Sequence, residues 1–147
     1  MCCTQELGIP FTVASASEKN PHFQAFLRAN YEVGHLFDTM EEQVKGGCCS
    51  LHTGDVEGCG ILPGPQYLVM GTPCNPYSPQ RAKRYHDGSV KAHGLHDLTF
   101  RTAYEMLTKY QPVTATMEQS FGFGLPEEQG SKTTPLDRPE VFGFPLI

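Results

Sequence analysis

Gln66-Tyr-Leu-Val-Met-Gly71, running into Thr72-Pro-Cys-Asn-Pro-Tyr-Ser78, is the stretch on which the reading of the fold turns. Residues 67–71 are continuously apolar, as strands buried on both faces of a parallel sheet are. The spacing predicts a strand over Gln66–Gly71. Gly71 permits a tight exit and Pro73 fixes its own backbone torsion. The segment from Thr72 to His96 then reads as a long loop, and long ordered loops tend to carry function. Cys74 stands at the head of that loop. Taken alone, a free cysteine is more often small, buried and inert. Near a helix N-terminus or a cationic loop, its thiol would become more acidic and nucleophilic.

Working outward, Phe11-Thr-Val-Ala-Ser15 is β-prone and predicts a strand. Asn20-Pro21 predicts an N-cap and a proline in the first helical turn, opening a helix over Pro21–Asn30. Phe23, Phe26, Leu27 and Asn30 fall at helical spacing and predict an apolar stripe. His35-Leu-Phe-Asp38 is a short apolar run ending in a carboxylate. Residues 45–65 are rich in glycine and cysteine and read as loop. Leu98, Thr102, Met106 and Tyr110 recur at helical spacing, predicting a helix over Asp97–Tyr110. Thr114-Ala-Thr-Met-Glu118 predicts a further strand. From Gly122 the chain reads as irregular.

Strand, helix, strand, helix, strand is the alternation of an α/β fold with a parallel sheet and right-handed crossovers. Ligands in such sheets bind beyond the carboxyl ends of the strands. Ser17-Glu18, Thr72-Pro-Cys74 and Glu118-Gln-Ser120 all fall at such ends. Glu18, Asp38 and Glu118 each admit two readings, a solvated surface acid or a site residue.

The 147 residues suit one ordinary domain, and 39% are hydrophobic. No apolar run approaches the roughly 18 residues of a transmembrane helix. Met1-Cys-Cys-Thr-Gln-Glu-Leu7 lacks the features of a secretory signal. The expectation is an intracellular protein, nuclear in a eukaryote and cytoplasmic in a bacterium. Its six cysteines are then free thiols rather than a disulfide framework. A net charge of −5 counts against a free-standing nucleic-acid binder. Arg81, Lys83, Arg84 and Lys91, with His86 and His93, nevertheless make one local basic loop, read either as a solvated face or as a phosphate-binding one.

Cys48, Cys49, His52, Asp55 and Cys59 invite a zinc reading, which their spacing opposes. Structural zinc sites favour two pairs of ligands, each separated by two to four residues. Adjacent Cys48 and Cys49 would point in opposing directions. The expectation is no metal site.

Gly71-Thr-Pro-Cys-Asn-Pro-Tyr-Ser78 resembles the nucleophile motif of cytosine-5 DNA methyltransferases, commonly Gly-x-Pro-Cys-Gln-x-Phe-Ser. Gln111-Pro-Val-Thr-Ala-Thr-Met-Glu-Gln-Ser120 is similar to that family's Lys-Pro-x-x-x-x-x-Glu-Asn-Val motif, about one helix later. Ala16-Ser-Glu-Lys-Asn20 resembles its ribose-binding acid, and Phe37-Asp38 its adenine-contacting acid. The likeness spans roughly residues 7 to 123 and is carried by the ordered set. It implies a partial Rossmann-like methyltransferase fold over 1–123, with an irregular tail over 124–147.

The resemblance implies Cys74 and Glu118 as catalytic residues. Glu18, Lys19, Asp38 and Pro73 would bind S-adenosylmethionine. Ser78, Arg81, Lys83 and Arg84 would contact the substrate, DNA or alternatively RNA. Asn75 stands where the family has glutamine, and Gln119-Ser120 where it has Asn-Val. The family's asparagine amide braces the Pro-Cys loop. Its Phe-x-Gly-x-Gly cofactor loop, Gln-x-Arg-x-Arg motif and target-recognition domain have no counterpart in the sequence. The resemblance therefore implies a fragment with little activity alone. The alternatives are an inactive module of the same fold that binds nucleic acid or a partner, and a different thiol enzyme pairing Cys74 with His86 or His93.

Overall fold

The computed structural model describes residues 2–54, 59, 64–81, 84, 86, 90–96 and 98–137, with backbone only at Cys2 and Cys3. Two compact units divide the chain, Met1–Pro63 and Gly64–Ile147. The first contains α1 (Cys2–Glu6), β1 (Val13–Ser17), α2 (Pro21–Asn30), β2 (Val33–Phe37) and α3 (Met40–Lys45). The second contains β3 (Tyr67–Gly71), a π-helical turn at Leu98–Thr102 leading into α4 (Ala103–Tyr110), and β4 (Thr114–Glu118). Short 3-10 turns follow at Phe121–Gly124 and Pro135–Asp137.

The architecture is mixed α/β with short parallel strand pairs. β1 pairs with β2, from Val13 opposite Val33 to Ser17 opposite Phe37. β3 pairs with β4, from Tyr67 opposite Thr114 to Gly71 opposite Glu118. The three-strand reading therefore missed β2. Gly34 breaks its pattern, since glycine inside a strand usually weakens the assignment. Here close approach requires it: a Cβ at Gly34 would lie 2.6 Å from the Ala14 carbonyl oxygen. β1 also begins at Val13, two residues later than its composition suggests, because that is where the ladder starts.

α2 has the predicted bounds and cap, with Asn20 Oδ1 accepting from the His22 N–H at 2.9 Å. Its stripe differs from expectation. Phe23 and Phe26 are 59% and 55% exposed, and Leu27 alone of the three is half-buried. α3 was not foreseen. Thr39 caps it by accepting from the Glu42 N–H at 3.1 Å, and Gly46 closes it at φ 73°, where a side chain would be strained.

In the second unit, Ala103, Met106, Leu107 and Tyr110 face inward at helical spacing along α4. Asp97 lies outside the described residues. Tyr77, Val90, Phe100 and Phe123 form a buried cluster with Met117 packed against it. The Tyr77 ring meets Phe123 edge-on at 4.9 Å and Phe100 at 5.7 Å. Such ring pairs add about 0.5–1.5 kcal/mol beyond their burial. Residues 125–134 carry no helix or strand, yet the segment is anchored. Glu127 and Pro135 are buried, and the Leu125 and Pro126 carbonyls accept hydrogen bonds from Arg84. Residues 138–147 of the expected tail lie outside the described residues.

Candidate active site

The carboxyl ends of β3 and β4 lie side by side because their register sets Gly71 opposite Glu118. A Cβ at Gly71 would sit 3.8 Å from Glu118 Oε2, so that carboxylate leans toward the start of the Pro-Cys loop. Glu118 is exposed and Cys74 half-buried.

Four anchors hold the loop that carries Cys74. Gln119 Nε2 donates to the Thr72 carbonyl at 2.9 Å and to Thr72 Oγ1 at 2.5 Å. Thr99, on the π-helical turn, donates its hydroxyl to the Pro73 carbonyl at 3.1 Å. The Cys74 carbonyl accepts from the N–H groups of Tyr77 and Ser78, each at 3.0 Å, which coils residues 74–78 into one turn. Tyr77 is the fourth, its ring set in the core. Gln119 thus braces the start of the Pro-Cys loop through Thr72.

Removing that amide strands the Thr72 carbonyl and hydroxyl, which are almost fully buried. Gln119→Ala is expected to cost about 1–3 kcal/mol, the usual penalty for an orphaned buried polar group. Urea unfolding measures it, and an unchanged midpoint would show that Gln119 does not brace the loop.

The basic loop differs most from expectation. Arg84 is 3% exposed. Its Nη1 donates to the Tyr77 carbonyl, and its Nη2 to the carbonyls of Gly122 at 2.6 Å and of Leu125 and Pro126 at 3.1 Å. A guanidinium spent this way is a clamp across the chain, not a phosphate ligand. Gly122 must be glycine for the clamp to close, because a Cβ there would collide with the Tyr77 carbonyl. Arg81 is half-buried and donates to the Pro76 carbonyl at 3.4 Å. Lys91 pairs with Glu128 at 2.6 Å. Lys83 lies outside the described residues. Ser78 is half-buried, and its hydroxyl accepts from the Gln80 N–H at 3.3 Å. His93 Nδ1 accepts from the Leu95 N–H at 3.1 Å. His86 is exposed. His96, which the sequence reading passed over, is buried and meets Glu127 Oε1 at 3.1 Å.

The first unit carries the two acids assigned to a cofactor. They follow the paired residues Ser17 and Phe37, so Glu18 and Asp38 stand at adjacent strand ends. The Glu18 N–H continues the ladder to the Phe37 carbonyl at 3.0 Å. Gln24 on α2 links the two positions, donating to the Glu18 carbonyl at 2.5 Å and to Asp38 Oδ1 at 3.0 Å. Glu18 Oε1 accepts from the Asn20 N–H at 2.7 Å. Lys19 is exposed. An open cavity of about 800 Å³ lies instead at the amino-terminal ends of β1 and β2, among Ile9, Phe11, Val13, Tyr31 and Val33. It holds none of the residues singled out for catalysis or cofactor binding.

Cys48 and Cys49 do diverge, one exposed and one buried. Burial opposes ionisation of Cys49. Hydrogen bonds from Cys59, from the backbone at Leu36 and Leu51, and from His35 outweigh it and bring the thiol down to about 6. Cys59 moves upward: a hydrogen bond from the Cys49 backbone favours its thiolate, but desolvation and the neighbouring Cys49 sulfur prevail.

Among the described residues, no helix is long and apolar enough to cross a membrane. Comparison with protein-family models, curated proteins and solved structures finds no match to this chain.

Proposed function

We propose that Cys74 is the nucleophile of a cytosine-5 methyltransferase acting on DNA, with S-adenosylmethionine as methyl donor, on a Rossmann-like fold of which this chain forms part. The observation that carries the reading is the β3–β4 register. It brings the exit of Gly71-Thr-Pro-Cys74 and the carboxylate of Glu118 to one pair of strand ends, the edge where α/β sheets bind ligands.

Carbon 5 of cytosine is a poor nucleophile. In the proposed reaction the Cys74 thiolate adds to carbon 6, which makes carbon 5 enamine-like. Glu118 would donate a proton to the ring nitrogen and accept from the exocyclic amine, neutralising the negative charge that develops in the ring. Methyl transfer to carbon 5 would leave S-adenosylhomocysteine, after which carbon 5 would give its proton to water and the Cys74 thiolate would be eliminated. A base inside a duplex cannot be reached by a thiol in this way, so the target is flipped out. Pro73 and Ser78 shape the space around it.

S-adenosylmethionine supplies an electrophilic methyl group. Adjacent Glu18 and Asp38 fit its adenosine half, an acid for the ribose hydroxyls and an acid for the adenine amine. Lys19, exposed beside Glu18, completes that group of residues.

Duplex DNA bearing 5-azacytosine tests the first step, because this base accepts a thiol at carbon 6 without methyl transfer. The expected result is a covalent adduct that peptide mapping assigns to Cys74 and that Cys74→Ala abolishes. DNA binding without any adduct, undiminished in Cys74→Ala, would instead favour a non-enzymatic binding module. Turnover is a separate matter. With tritiated S-adenosylmethionine and unmodified duplex, this chain by itself is expected to give little product, and robust turnover would overturn that expectation.

A further inference from the structure

We infer that His35, Cys49, His52 and Cys59 form a structural zinc site, a Cys2His2 centre that fastens the loop after α3 to the middle of β2. Each offers one ligand atom, and the four atoms lie within 4.8 Å of one another. Cys49 Sγ stands 3.7 Å from His35 Nδ1 and 3.1 Å from His52 Nδ1, and Cys59 Sγ is 3.6 Å from His52 Nδ1. Zinc at its usual bond lengths, about 2.3 Å to sulfur and 2.0–2.1 Å to nitrogen, sets tetrahedral ligand atoms roughly 3.3–3.8 Å apart. These three separations lie in or close to that range.

Chemistry and burial favour the same occupant. Two thiolates with two imidazoles suit zinc above magnesium or calcium, which take oxygen ligands. Four protein ligands complete a tetrahedron with no position left for water, the pattern of a structural site. Both cysteines are almost fully buried and pack against Phe37. Both would bind as thiolates, their protons passing to solvent.

The loop is already placed. The Ser50 N–H and hydroxyl donate to the Leu36 carbonyl at 2.7 and 2.9 Å. The Cys59 N–H donates to the Gly47 carbonyl at 3.3 Å. Spacing along the loop takes no account of a ligand supplied by another element. The fourth ligand is His35, which comes from a strand 14 residues before Cys49. Asp55, the acid in the original grouping, lies outside the described residues.

The test is metal content and ligand identity in the full chain, purified under reducing conditions. The expected result is one zinc per chain. Cobalt substitution should give the visible bands of a tetrahedral site and sulfur-to-metal charge transfer. X-ray absorption should count two sulfur and two nitrogen neighbours. Competition with a chromophoric chelator should show affinity falling more than about a hundredfold in Cys49→Ser and in Cys59→Ser, beyond the roughly 10–100-fold cost of losing a hydrogen-bond partner of a metal ligand. Cys48→Ser should leave it unchanged. The wild-type spectra decide the matter even where a variant fails to fold. Lack of stoichiometric zinc uptake by the reduced chain, octahedral cobalt bands, or an unaltered cobalt spectrum in Cys49→Ser would each overturn the site. So would a Cys49–Cys59 disulfide in chain purified with zinc present.

Discussion

Replacing Arg84 with methionine is expected to cost about 3 kcal/mol of stability, because a buried carbonyl left without its donor costs about 1–3 kcal/mol. The guanidinium serves the carbonyls of Tyr77, Gly122, Leu125 and Pro126 together. Methionine fills much of the volume and donates to none of them. Summing four charged hydrogen bonds would overstate the loss, because bonds in one network are not additive. Arg84→Lys separates the clamp from the phosphate role that the sequence suggested. Lysine keeps the charge, so a phosphate contact would survive largely intact. Its compact ammonium cannot reproduce the planar fork, so a clamp would not. Arg84→Lys should therefore lose a large part of the same stability in urea unfolding. A midpoint within experimental error of wild type would rule out the clamp.

Glu118→Gln is expected to slow covalent capture by 5-azacytosine DNA about 10²–10³-fold, the scale of losing one preorganised group that stabilises developing charge. Glutamine keeps the shape but cannot deliver a proton to the ring nitrogen. Glu118 is exposed at the end of β4, so stability should change by less than about 0.5 kcal/mol. The pairing of a large rate effect with an unchanged unfolding midpoint is what the proposed role requires. Capture at the wild-type rate would remove Glu118 from the chemistry while leaving Cys74 in place. In contrast, Gln119→Ala acts first on stability, through Thr72. The two neighbouring residues are therefore distinguishable by what each substitution changes.

Periodicity and capping are local, and they were legible in the sequence. Asn20-Pro21 announced α2 at its true bounds, β4 fell on Thr114–Glu118, and Met106 and Tyr110 marked the buried face of α4. The run before Gly71 marked β3 and the loop that carries Cys74. Gly34 hid β2, because a glycine that close approach demands looks, in sequence, like one that breaks a strand.

By itself, the sequence determined an α/β chain, the helices α2 and α4, the strands β1, β3 and β4, and the strand ends near which Glu18, Cys74 and Glu118 lie. Tertiary structure decided how its polar side chains are spent. Arg84 reads as one cation in a basic loop until the carbonyls of residues 122, 125 and 126 close around it. His35 reads as one member of an apolar run until Cys49, His52 and Cys59 come to meet it. The physical reason is the same in both. A hydrogen bond or a coordination shell depends on distances of a few ångströms in space, which no spacing along the chain encodes when the partners lie on different elements.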